Sequence, residues 1–175
     1  MAKPKRIIRQ RATLLIVGEG ATEEAFLQHL RTLYCSDRKG ASVTIRNAYG
    51  KGPDNVLNVA IREASRAAQF DHVAVLMDTD IPWSQKLKKQ AKDNGIHLIG
   101  CEPCIEGLFL KLLDKNVPHN SDECKREIRR HLLDNLTERA SYVSWCTRAT
   151  LDDAKHLVNL QRLLMLFNGR SPTDR

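Results

Sequence analysis

The feature that most constrains this chain is a run of apolar residues stopped abruptly by glycine, Leu14-Leu15-Ile16-Val17-Gly18, followed by Glu19-Gly20-Ala21-Thr22-Glu23-Glu24. A β-branched run with no polar alternation reads as a strand covered on both faces, which is the habit of parallel sheets. Thr22 offers a cap for a following helix, with Glu23 and Glu24 at the positive end of its dipole. Glu19, held between two glycines, then falls in the turn at the carboxyl edge, where open α/β sheets keep their chemistry. Taken alone, the stretch fits equally a plain βα turn with a solvated glutamate.

A second acidic turn changes the balance. His72-Val73-Ala74-Val75-Leu76-Met77 is again a buried-strand run, and it ends in Asp78-Thr79-Asp80-Ile81-Pro82. Side chains alternate along an extended chain, so Asp78 and Asp80 are expected to point the same way. Two neighbouring carboxylates repel unless a cation lies between them, and hard oxygen ligands at a strand end suit Mg²⁺ or Mn²⁺. The plainer alternative is a surface turn with a helix cap. Two acidic clusters that each follow a buried strand favour a site.

The rest of the chain supports the same class. Val43-Thr44-Ile45-Arg46 and Ile96-His97-Leu98-Ile99 read as two further strands, and helical spacing runs from Thr22 to about Tyr34, from Asn55 to Gln69 and from Ser84 to Lys92. Strand and helix in this rhythm imply right-handed crossovers. The expected fold is therefore α/β, a mainly parallel four-stranded sheet near residues 13–17, 42–46, 72–77 and 96–99, flanked by helices. Beyond Pro103 the pattern is helical: Ile105 to Leu113 with Glu106 in its first turn, Ser121 to about Leu133, and a last helix opened by Thr150. The broad apolar face of that last helix suits packing on the domain or a partner. Ala140 to Cys146 reads as an extended edge. The divisions are a basic tail (1–11), an α/β core (12–114) and a helical extension (115–175).

Charge and cysteine narrow the setting. Net charge is +7, but five of the 28 basic residues (Lys3, Lys5, Arg6, Arg9 and Arg11) lie in residues 1–11, which hold no acid. The remainder carries 23 basic against 21 acidic residues, or +2. Such a tail attracts phosphate backbones without reading sequence, or simply keeps the terminus solvated. Lys51, in the Gly50-Lys51-Gly52 turn, is a candidate phosphate contact at the same sheet edge, although the spacing is not that of a Walker loop. The lysines of 84–92 suit either nucleic acid or solvent. Five cysteines, an odd number, argue for thiols. Cys101-x-x-Cys104 with His97 is at most half a zinc site, since no second pair completes it. No apolar run approaches the ~20 residues of a membrane span, and the amino terminus lacks a signal-peptide pattern, so the cytoplasm is the expected compartment.

Three segments carry a family resemblance: Val17-Gly18-Glu19-Gly20-x-Thr22-Glu23 with Phe26, Met77-Asp78-Thr79-Asp80, and Cys101-Glu102-Pro103-Cys104-Ile105-Glu106-Gly107-Leu108-Phe109-Leu110. Their order over residues 12–114 resembles the Toprim signature of topoisomerases, primases and OLD- and M5-type nucleases, and within that group the small RloB-like proteins. Cys101, Ile105 and Phe109 depart from the serine/proline-aromatic-glutamate-x-tryptophan pattern of RloB-like chains. The chain is too short for a topoisomerase's strand-passage domains or a primase's zinc module, so the resemblance implies a metal-dependent nuclease acting on DNA or RNA. Glu19, Asp78 and Asp80 would be catalytic and hold Mg²⁺ or Mn²⁺, with Glu23 and Glu106 adding ligands. It also implies restriction-associated or phage-defence work beside an ABC/OLD-type ATPase. The competing expectation is a non-catalytic sensor or adaptor subunit that binds nucleic acid or that ATPase.

Overall fold

The computed structural model describes residues 10–36, 39–66 and 70–172. Lys3, Lys5, Arg6 and Arg9 lie outside them. Four strands form: β1 (Thr13–Gly18), β2 (Ser42–Asn47), β3 (His72–Asp78) and β4 (Ile96–Cys101). They lie in the order β2-β1-β3-β4, and every pairing is parallel. The sheet is thus wholly parallel, and each expected strand is present. All four carboxyl ends share one edge, with Gly18 opposite Asn47 and Leu76, and Asp78 opposite Cys101.

Alternation along the strands sends successive side chains into two separate cores. Leu14, Ile16, Ala74, Leu76 and Ile99 face α1 (Ala21–Tyr34), α4 (Ile105–Leu112), α5 (Ser121–His131) and α7 (Val158–Phe167) in one cluster. Val17, Val75, Met77 and Ile96 face α2 (Pro53–Arg66) and α3 (Gln85–Asp93) in the other. Covering both faces explains why the strands carry no polar alternation. Because α5, α7 and the intervening α6 (Arg148–Asp153) contribute to the first cluster, the carboxyl-terminal extension shares the core of the α/β unit.

Several local expectations are corrected. Gly20, not Thr22, is the N-cap of α1, because the Glu23 carboxylate reaches back to accept from the Gly20 N–H at 2.9 Å. Asn120 caps α5 through its side chain, which accepts from Glu123 N at 2.9 Å, leaving Ser121 free for another bond. The final helix is two: Thr147 caps α6, and the chain turns extended at Leu157 before α7. There Asn159 Nδ2 and Arg162 Nη1 donate to the carbonyls of Gly100 and Leu98, tying α7 to β4. Ala140 to Cys146 is not an extended edge: Arg139–Tyr142 is a short 3-10 helix that drives Tyr142 into the core. Arg11, grouped with the tail by its charge, belongs to the fold. Its guanidinium donates to the carbonyls of Cys35, Lys39, Gly40 and Ala41 at 2.6–3.2 Å, fastening the α1–β2 loop.

The five cysteines are free thiols. Burial pushes the Cys101 and Cys104 thiols well above their ordinary value, so they remain protonated. No helix among the described residues is long and apolar enough to cross a membrane.

Candidate functional site

The carboxyl edge gathers four acids from three connections. Glu19 leaves β1 held at its backbone, its N–H donating to Leu76 O at 3.2 Å and its carbonyl accepting from Gly50 N at 2.8 Å. Its carboxylate Oε2 accepts from the Asp78 N–H at 3.2 Å, across the β1–β3 boundary. Glu23 sits in the first turn of α1 and is 6% exposed. Asp78 closes β3, and its Oδ1 accepts from Ile105 N at 3.0 Å, at the start of α4. Glu106 follows in that helix's first turn, 9% exposed, and its Oε2 is buried with no hydrogen-bond partner.

Gly18 makes this convergence possible. A Cβ there would lie 2.8 Å from Glu23 Cβ and 3.3 Å from Glu24 N, so the first turn of α1 can approach the strand end only if no side chain intervenes. Gly18→Ala is expected to cost about 1–3 kcal/mol of stability, as overpacking does, and to push Glu23 outward. Urea unfolding checks the first effect; an unchanged midpoint would show that the approach tolerates a methyl group.

The electrostatics follow from burial. Asp78 is pushed up to about 8, first by desolvation and then by the charges of Glu23, Glu19 and Glu106. Glu23 is pushed up to about 7 by desolvation, with Glu106 and Glu19 adding to the rise against two backbone hydrogen bonds that oppose it. Carboxylates whose negative charge is this unwelcome hold a proton at neutral pH or take a cation in its place.

Whether a divalent cation fits has two answers. In charge and chemistry the donors suit a hard cation: buried carboxylates repel one another, and Glu106 Oε2 is an orphan oxygen. In geometry, no group of three or more His, Cys, Asp or Glu side chains among the described residues is arranged to hold a metal ion. The acids would have to be drawn together around one.

Asp80 stands apart from the other four. Strand alternation would have aligned it with Asp78, but β3 ends at Asp78, and the turn is fixed by Thr79, whose N–H donates to the carbonyls of Cys101 and Pro103. Asp80 is exposed and accepts from the Ser121 hydroxyl at 2.7 Å and from its neighbour Ile81 N, whereas the charges that most raise Asp78 are those of Glu23, Glu19 and Glu106. Lys51 lies exposed in a loop where Tyr49, Gly50, Lys51 and Gly52 all adopt positive φ, tied to the site by the Gly50–Glu19 bond.

Sequence reasoning missed Lys125. Burial works against its charge, but the neighbouring negative groups, Glu106 and Asp78 foremost, together hold it above the ordinary lysine value, and it lines one cleft with Glu106. Only the packing of α5 beside α4 reveals it; the one-turn spacing of Lys125 and Arg129 was the available hint.

No curated protein and no solved structure matches the chain. The model of one family, RloB-like protein, matches residues 14–161, which takes in the four strands but for Thr13, the four converging acids, α5, α6 and the start of α7. The chain belongs to the RloB-like protein family.

Proposed function

We propose that the protein is a Toprim-type, divalent-cation-dependent phosphodiesterase acting on nucleic acid. The observation that carries this reading is the set of Glu19, Glu23, Asp78 and Glu106 at the carboxyl edge of a parallel sheet, with Asp78 and Glu23 raised and one buried carboxylate oxygen unpartnered. These four residues would hold Mg²⁺ or Mn²⁺, with Asp80 joining if it releases Ser121. A bound ion supplies Lewis acidity toward the scissile phosphate and lowers the pKa of a coordinated water. Glu19 couples the two strand ends, because its carboxylate holds the Asp78 N–H. The Asp78–Ile105 bond fixes the approach of α4, and with it the position of Glu106. Lys51 and the amino-terminal Lys3, Lys5, Arg6 and Arg9 supply sequence-independent attraction for phosphates.

The second reading is a non-catalytic sensor or adaptor that engages nucleic acid or an ABC/OLD-type ATPase in a phage-defence or restriction-associated system. The lack of ready ligand geometry favours it. Against it, none of the four acids makes an ion pair with a lysine or arginine among the described residues.

The test is cleavage of labelled single- and double-stranded DNA and RNA with Mg²⁺ or Mn²⁺, with and without a neighbouring ATPase. Metal-dependent cutting is expected. Removal of residues 1–9, which spares the Arg11 clamp, should weaken binding and reduce the salt slope by up to about 0.9 per lost phosphate contact. No cutting of any substrate under any of these conditions would favour the adaptor.

A further inference from the structure

Beside the acids lies a cleft of about 620 Å³, of whose lining the proposed chemistry uses Glu106 alone. Its floor is Glu106, nine-tenths buried, with the unpartnered Oε2. One wall is α5, which presents Lys125 and Arg129 one turn apart, on the same helix face. The other wall is the segment after α5, where Leu133 is 96% exposed and Leu136 is half-buried.

The charges of α5 are sorted by face. On its other faces, Arg126 pairs with Glu123, and Arg130 and His131 pair with Glu127. Lys125 and Arg129, the two that line the cleft, make no ion pair among the described residues. Asp134 lines the cleft as well, but α5 pairs its other two arginines with its own acids and leaves Lys125 and Arg129 without an ion pair among the described residues, beside a leucine held in solvent, which together suit a ligand both anionic and apolar.

We propose that this cleft is a nucleotide subsite, holding the unit of a single strand that adjoins the phosphate at the acidic centre. A phosphate sits between Lys125 and Arg129, and the base lies against Ile128, Leu133 and Leu136. A bare anion leaves the apolar wall unused, and an apolar ligand leaves Lys125 and Arg129 without an ion-pair partner. The volume falls in the range of about 300–1,000 Å³ usual for small-ligand pockets. Contact with an apolar wall needs an unstacked base, which selects single-stranded nucleic acid over an intact duplex. The proposal rests on the phosphodiesterase reading only in joining this nucleotide to a longer strand.

The experiment is titration of the full chain with adenosine 5′-monophosphate, adenosine and inorganic phosphate, with and without Mg²⁺, followed by amide chemical shifts and by calorimetry. The nucleotide should perturb amides between residues 125 and 137 and bind about tenfold more tightly than either fragment. Arg129→Ala and Leu133→Asp, both at exposed positions, should each weaken it by about five- to tenfold while leaving the thermal midpoint in place. Inorganic phosphate binding as tightly as the nucleotide, or affinity unmoved by both substitutions, overturns the subsite. Failure of the nuclease reading looks different: nucleotide binding at the cleft persists, yet no DNA or RNA is cut with either metal.

Discussion

Asp78→Asn is expected to lower metal-dependent cleavage by on the order of a hundredfold or more, since loss of a direct ligand should exceed the 10–100-fold of an outer-shell change. The same substitution is expected to make the metal-free protein more stable at pH 8. Asparagine retains an Oδ1 that can accept from Ile105 N, so the bond that seats α4 survives. What disappears is a negative charge that burial, Glu23, Glu19 and Glu106 all oppose.

The sign follows from linkage. Asp78 titrates near 8 in the fold against an ordinary 3.8, and Glu23 near 7 against 4.5. The folded chain therefore keeps protons that the unfolded chain releases from about pH 4 upward. Their stabilising contribution is complete below the unfolded values and is lost as pH rises through 7 and 8. At about 1.4 kcal/mol per pKa unit, shared across coupled groups, wild type in chelator should lose a few kcal/mol between pH 4 and pH 8. The asparagine variant should lose less. A divalent cation binds the ionised form, so Mn²⁺ should raise the wild-type melting temperature at pH 8 more than at pH 5, and do little for the variant. Urea unfolding in chelator across this range provides the check. A variant less stable than wild type at pH 8, or one that cuts as fast, would remove Asp78 from the role given to it.

The strands were legible because a parallel sheet covered on both faces must be apolar without interruption; Leu14 to Val17 and Val73 to Met77 have no polar face to hide. The edge on which the acids gather followed from that topology. What local sequence rules could not resolve depends on where an element stops and what packs against it. Asp78 and Asp80 share a side only while the strand continues, and it ends between them. Thr22 resembles a cap, yet the backbone of Gly20 and the side chain of Glu23 perform the capping. Arg11 was assigned to the tail by charge, although its fork matches a cluster of carbonyls about 25–30 residues ahead. The Lys125–Arg129 pair carries no local mark, because nothing within the helix itself says that Glu106 lies beside it.

Tyr142→Ala is expected to have the largest effect on stability, about 3–5 kcal/mol, the range for removing a buried aromatic ring. The ring is fully buried, with Phe109 at 5.5 Å, Trp145 at 5.6 Å, His29 at 5.6 Å and Phe26 at 5.8 Å between centroids. It therefore fills the junction where the carboxyl-terminal extension meets α1 and α4. Its hydroxyl donates to the carbonyl of Leu136 at 2.6 Å and lies 3.3 Å from that of Thr22, joining the cleft wall to the first turn of α1, where Glu23 stands. Tyr142→Phe keeps the packing and should cost about 1 kcal/mol for the lost hydrogen bond. Because Leu136 is then released, the phenylalanine variant should weaken adenosine 5′-monophosphate binding more than its small loss of global stability would suggest. Urea unfolding of both variants separates ring from hydroxyl. A loss below about 1 kcal/mol for alanine would mean that the extension does not depend on this ring for its place on the core.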